Sequence, residues 1–75
     1  MLRKRSITIN GHATSYSIED AFHAELVRLA RASDISLAAL VARLDAERPD
    51  GQNLSSAIRL HVLKAALEPG HRQSS

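Results

Sequence analysis

The sequence predicts a mainly α-helical fold with a short β-ribbon, in which an amino-terminal β-hairpin precedes three helices. Asn10-Gly11 separates two runs of alternating polar and apolar residues, and three later segments have apolar residues at helical spacing. The chain has only 75 residues and no cysteine. Chains of this size usually need disulfides, a metal or oligomerisation for stability, so we expect a homodimer.

The hairpin prediction rests on Asn10-Gly11, a strong signal for a two-residue turn because both residues tolerate positive φ. Alternation on either side of this turn produces two faces. One face is suited to cover a core and carries Ile7, Ile9, Thr14, Tyr16 and Ile18. The other is rich in hydroxyl groups and available to solvent or a partner, and it carries Lys4, Ser6, Thr8, Ala13, Ser15 and Ser17.

The first helix is predicted to follow the hairpin directly, over about residues 19–32. Ser17-Ile18-Glu19-Asp20 resembles a capping box with Asp in the place of Glu or Gln. The two acids also suit the positive end of a helix.

Two further helices are predicted from their caps and stop signals. Ser36 is expected to cap the second helix, which ends near Arg48. Asn53 is expected to cap the third, which ends before Pro69-Gly70. The third helix has a wide apolar stripe made of Leu54, Ile58, Leu60, Val62, Leu63 and Leu67.

Helical and strand periodicity together predict the buried residues of the dimer. The expected dimer core consists of Tyr16, Ile18, Phe22, Leu26, Leu29, Leu37, Leu40, Val41 and Leu44.

Charge is distributed unevenly, although the net charge is only +2. Arg3, Lys4 and Arg5 precede the first acid, Glu19, so the amino-terminal segment is basic. We therefore expect a basic arm over residues 1–5, a folded domain over 6–67 and a flexible tail over 68–75. Such an arm indicates an anionic partner such as nucleic acid, or else serves only to increase solubility.

Several classes of function have no support in the sequence. The four histidines, His12, His23, His61 and His71, form no HxxxH or HExxH pattern, and cysteine ligands are absent. Neither a Gly-rich phosphate loop nor a nucleophile and base pairing is recognisable. We expect no enzyme activity, no metal and no cofactor, and, since no apolar run approaches about 20 residues, no membrane span. A cytoplasmic protein is the expectation.

The order of motifs resembles the ribbon-helix-helix family of small dimeric bacterial DNA-binding regulators. The likeness lies in "RSITINGHATSYSIEDAF", "ISLAALVARLD" and "NLSSAIRLHVL", and it extends over most of the chain, about Arg5 to Leu67. It is similar to a short stand-alone ribbon-helix-helix subfamily, and in this chain we expect an extra carboxy-terminal helix after the ribbon-helix-helix core. The resemblance implies an intertwined homodimer, in which one strand from each protomer pairs into a ribbon that enters the major groove of double-stranded DNA.

The resemblance also implies positions for the DNA contacts. Ala13, Ser15 and Ser17 would face the bases, Ser36 and Leu37 would offer backbone amides to a phosphate, and Arg3, Lys4 and Arg5 would hold the DNA backbone as a flexible arm. Serine discriminates poorly between bases, so affinity would come mainly from the arm. About six phosphate contacts per dimer would give a salt slope no steeper than about −5.

Alternative interpretations remain open at this point. Ser56-Ala57-Ile58-Arg59 also resembles the start of the second helix of a ribbon-helix-helix repressor, which would make 36–48 the first helix. The protein is alternatively a homodimeric interaction module that binds another protein through its hydroxyl face or its third helix. An antitoxin would combine DNA binding with protein binding.

Overall fold

A computed structural model describes residues 2–68, which form a two-stranded antiparallel sheet followed by three helices. The elements are β1 (Leu2–Ile9), β2 (His12–Glu19), α1 (Asp20–Ala32), α2 (Leu37–Glu47) and α3 (Leu54–Leu67). This order confirms the predicted hairpin and three helices. The expected tail over 68–75 lies, apart from Glu68, outside the described residues.

The hairpin turn is the predicted one. Asn10 and Gly11 have φ values of 53° and 80°, the positive values that a type I′ turn requires. The register pairs Ile9 with His12, Ser6 with Ser15 and Leu2 with Glu19. Directly opposite residues share a face, so this register places Ile7, Ile9, Tyr16 and Ile18 against the helices.

The expected flexible arm is instead the first half of β1, which begins at Leu2. Arg3 pairs with Ile18 and Lys4 pairs with Ser17. The physical reason is the length of β2, which continues to Glu19 and places a cross-strand neighbour opposite each of these basic residues. Arg3, Lys4 and Arg5 therefore have defined directions relative to the sheet.

The predicted capping box at the start of α1 is wrong. Glu19 is the N-cap residue, and its side chain makes no capping hydrogen bond. Ser17 remains in β2, where its backbone N–H donates to Ser55 Oγ at 3.0 Å. Pairing with β1 keeps the chain extended two residues beyond the proposed cap, so strand formation overrides the local signal.

The other helix boundaries follow the predicted signals. Ser36 accepts a hydrogen bond from the Ala39 N–H, and Asn53 accepts one from the Ser56 N–H. The end of α1 is a Schellman motif with Asp34 in the left-handed region at φ 57° and the Ile35 N–H bonded to the Ala30 carbonyl at 3.0 Å. This tight reversal brings α2 back against α1.

One core joins the inner face of the hairpin to all three helices. Its fully buried side chains are Ile18, Leu26, Val41 and Ile58, one from each of β2, α1, α2 and α3. Of the residues expected in the core, Tyr16, Ile18, Leu26, Leu40, Val41 and Leu44 are buried, and Phe22, Leu29 and Leu37 are partly buried against them. Their burial is explained within one chain, and their role in a dimer stays a prediction.

The apolar stripe of α3 is divided between two environments, unlike the single wide stripe expected. Leu54, Ile58 and Val62 face the core together with Ala57. Leu60, Leu63 and Leu67 are 44%, 50% and 66% exposed, because they lie on the opposite side of the helix.

Candidate nucleic-acid interface

The outer face of the hairpin is an open surface of small polar side chains. We use "outer face" for the residues that point away from the helices: Lys4, Ser6, Thr8, Ala13 and Ser15 are all exposed, and Ser17 is half-buried. Lys4, Ser6, Ala13 and Ser15 line one shallow depression together with Thr14. The hairpin thus brings together two of the three predicted base-facing residues, Ala13 and Ser15, and one predicted phosphate-binding residue, Lys4.

The three amino-terminal cations do not share this surface. Arg3 lies opposite Ile18 and Arg5 lies opposite Tyr16, so both begin on the helix side of the sheet. Arg3 Nε and Arg5 Nη2 each lie 3.3 Å from Asp20 Oδ1 at the start of α1. Of the three, Lys4 alone belongs to the outer face, and the two arginines share one carboxylate.

The space between β1 and α1 is partly shielded from water. Arg5 Nε and His23 Nδ1 are enclosed and have no hydrogen-bond partner among the described residues. Burial lowers the pKa of His23, the positive charge of Arg5 lowers it further, and Asp20 opposes both effects. Burial also raises the pKa of the Tyr16 phenol, and Arg5 offsets part of that shift. Arg5 is itself half-buried and lies beside both of these groups.

The start of α2 has the features of an anion-binding helix terminus. Ser36 Oγ accepts from the Ala39 N–H at 3.0 Å, and the first turn contains no acidic side chain. The amide of Leu37 belongs to the same turn, where N–H groups have no intrahelical acceptor. By contrast, α1 has Asp20 in its first turn. The start of α2 thus keeps its positive dipole end free of a local carboxylate.

An unpredicted contact joins α3 to the carboxy-terminal end of β2. Ser55 Oγ accepts from the Ser17 N–H, and Arg59 Nη2 donates to the Ser17 carbonyl oxygen at 3.4 Å. Arg59 Nε also lies 3.1 Å from Glu19 Oε1. The backbone N–H of Glu19 and the Arg59 side chain, as hydrogen-bond donors, hold the pKa of the Glu19 carboxyl below its usual value.

Sequence reasoning missed Ser55 and Arg59 in this role, although their i, i+4 spacing places them on one face of a helix.

The alternative alignment, in which the second helix of the family starts at Ser56 to Arg59, fits the structure less well than the first alignment. β2 enters α1 directly, whereas the element directly before α2 is a helix, α1. The first alignment, with Ser36 at the start of the second helix, has the observed order of elements.

Residues 2–68 contain no group of three or more histidine and acidic side chains arranged to hold a metal ion. Within the same range, none of the helices has the length and apolar character needed to span a membrane.

Comparison with known families agrees with this geometry. Residues 2–66 match the model of a ribbon-helix-helix domain, and this match includes both strands and nearly all of α3. No curated protein and no solved structure matches the chain. Ribbon-helix-helix domains are non-enzymatic folds that typically dimerise and act in DNA-binding regulators or antitoxins. Since the match extends over nearly the whole chain, the protein belongs to the ribbon-helix-helix domain family.

Proposed function

We propose that this protein is a homodimeric, non-enzymatic DNA-binding regulator that inserts the paired outer faces of two hairpins into the major groove. The observation that carries the proposal is the exposed outer face, where small side chains leave the sheet surface accessible. A two-stranded ribbon fits the major groove of B-DNA, where base edges differ in their donors and acceptors. Membership of the ribbon-helix-helix family supports the same use of the ribbon.

Charge favours β2 as the strand at the dimer axis. Residues 13–17 carry no charged side chain, so two β2 strands can pair without opposing like charges. Pairing through β1 would bring Arg3, Lys4 and Arg5 of both copies onto one shared ribbon. We therefore place the two β2 strands at the centre of a four-stranded sheet, with one β1 on each side.

This arrangement gives the two strands different tasks on DNA. Adjacent strands lie about 4.8 Å apart, so the two outer strands of four are separated by about 14 Å. The major groove is about 12 Å wide, so β2 faces the base edges while β1 lies at the groove walls. Ala13, Ser15 and Ser17 then face the bases, and Lys4 lies beside the phosphates. Serine accepts and donates to several bases, which makes recognition semi-specific.

The start of α2 adds a second phosphate contact in each protomer. The Ser36 cap leaves the Leu37 amide directed out of the helix, and a phosphate placed there would meet the positive dipole end. With Arg3 and Arg5 held by Asp20, Lys4 and this helix start provide most of the contacts to the DNA backbone. The salt slope should therefore be shallower than the value of about −5 expected from six side-chain contacts.

An electrophoretic mobility shift titration with genomic fragments, run at about 50 and 200 mM salt, tests the proposal. We expect shifted complexes at low salt and a modest loss of affinity at high salt. Absence of any shifted complex at low salt would overturn DNA binding.

A second candidate function is favoured by the exposed leucines of α3. Leu60, Leu63 and Leu67 lie on one side of the helix and form an apolar surface of the kind that binds another protein. If this surface has a partner, a complex recovered from nuclease-treated lysate should persist with the native chain and disappear with Leu60→Ser/Leu63→Ser. Loss of the complex on nuclease treatment would instead assign it to DNA.

A further inference from the structure

The edge of β2 that faces away from β1 has free backbone groups on alternate residues. The two-residue turn makes Ile9 and His12 a hydrogen-bonded pair, so Thr14, Tyr16 and Ile18 direct their N–H and C=O groups to β1. The same groups of Ala13, Ser15 and Ser17 therefore point to the opposite edge. The bond from the Ser17 N–H to Ser55, rather than to β1, agrees with this direction.

Helix α3 already occupies the Ser17 end of that edge. Ser55 Oγ takes the Ser17 N–H at 3.0 Å, and Arg59 donates to the Ser17 carbonyl at 3.4 Å. Ser55 and Arg59, which we name the clasp, are both half-buried. Glu19 holds the Arg59 guanidinium in place at 3.1 Å. A second strand would lie about 4.8 Å from β2, which is where the clasp side chains are.

The clasp restricts how two copies can pair through β2. If the two-fold axis of the dimer passes through Ser15, Ala13 of one copy pairs with Ser17 of the other. This pairing needs the backbone N–H and C=O of Ser17, which the clasp holds. If the axis passes through Thr14 instead, only Ala13 and Ser15 of the two copies pair with each other and the clasp stays in place. The ladder of backbone hydrogen bonds between the two β2 strands is then shorter. The register about Ser15 also brings Ala13, Ser15 and Ser17 of both copies together at the middle of the shared sheet.

We infer that the clasp is an intramolecular cap on the β2 edge, which must open before a second copy of this chain can pair in the register centred on Ser15. This inference rests on the proposed function, because it concerns the same dimer. The occupant of the edge is a second copy, since the segment from Ala13 to Ser17 is uncharged and complements itself about Ser15. Dimerisation and exposure of the complete DNA-binding ribbon are therefore coupled to movement of α3.

Sedimentation equilibrium of Ser55→Ala/Arg59→Ala tests the inference. Removal of both polar side chains makes opening easier, so the dimer dissociation constant should fall at least about tenfold. The matched control is Ser56→Ala/Arg43→Ala, which removes the same residue types from α3 and α2 but keeps both hydrogen bonds of the clasp to Ser17, and should leave the constant unchanged. Glu19→Gln, which releases only Arg59, should give a smaller change in the same direction. Far-ultraviolet circular dichroism establishes that each variant is folded.

Disulfide formation provides a second measurement that does not depend on the equilibrium constant. The native chain has no cysteine, so Ser15→Cys can cross-link only with its counterpart, and only when the two Cα atoms lie within about 7 Å. We expect faster cross-linking of Ser15→Cys with the clasp removed than with it present.

The outcomes separate the inference from the proposed function. A folded clasp variant that dimerises no more tightly than the native chain, with equal cross-linking rates, would overturn the clasp alone. Absence of dimer and of cross-linking in every variant at high concentration would overturn the proposed dimer itself.

Discussion

The two faces of the hairpin come from the same two strands but differ in almost every physical property. The inner face carries Tyr16 and Ile18 into the core and also directs Arg3 and Arg5 toward Asp20. The outer face has exposed hydroxyl groups and one cation, Lys4. This difference teaches that a run of basic residues is not a uniform surface. Once the run becomes a strand, alternation directs two of its charges toward the helices and leaves one on the exposed outer face.

The largest predicted effect is the difference in unfolding free energy between a substitution on the inner face and one on the outer face. Ile18 is fully buried, so Ile18→Ala should lower the free energy of unfolding by about 2–5 kcal/mol. Ser15→Ala on the exposed outer face should change it by no more than about 0.5 kcal/mol. Urea denaturation of both variants measures the difference. Equal destabilisation by the two substitutions would contradict the assignment of the faces.

Release of the inner arginines should strengthen DNA binding. Asp20→Asn removes the carboxylate shared by Arg3 and Arg5, which makes both guanidinium groups available to phosphates. The salt slope of the dimer should become steeper by up to about 4, while stability changes by less than about 1 kcal/mol because the Asp20 carboxylate, which both ion pairs share, is exposed. Asp45→Asn, which breaks the ion pair with Arg48 on α2, is the matched control. An unchanged slope would show that the arginines stay out of reach of DNA.

Loss of the outer cation should have a smaller effect of opposite sign. Lys4→Ala removes one phosphate contact per protomer, so the salt slope of the dimer should become shallower by about 2. Lys64→Ala on the exposed side of α3 should leave it unchanged. Fluorescence anisotropy across a salt series gives both slopes. If Lys64→Ala proves to be the variant with the shallower slope, the DNA-binding surface lies on α3.

The smallest predicted effect is a pH dependence of stability that comes from His23, which lies on the helix side of the hairpin. The pKa of His23 is lowered from its ordinary value of 6.5 in the folded protein, so folding favours the neutral imidazole. Its contribution to stability is complete above the unfolded pKa and is lost as pH falls through the folded pKa. Thermal unfolding of native protein should thus show a decline below about pH 6.5 that His23→Gln reduces.

His12→Gln, at the exposed end of the hairpin, should keep the decline seen in the native protein. The same decline in His23→Gln would assign it to other titrating groups.

Local signals were sufficient for the turns and for most of the helix boundaries. Asn10-Gly11, Ser36 and Asn53 act through their own backbone and the next few residues, so their effects are readable from sequence. The capping box at Ser17 failed because a competing interaction, pairing with β1, comes from a residue far away along the chain. The apparent flexible arm failed for the same reason.

The sequence alone determined the hairpin register, the two faces of the sheet and the order of the three helices, because alternation, turn geometry and capping are local properties. Only the tertiary structure decided that Asp20 holds Arg3 and Arg5, and that Ser55 and Arg59 close the edge of β2 at Ser17. Those contacts join residues about 15 to 42 positions apart. They depend on how the helices pack around the shared core, which no local pattern specifies.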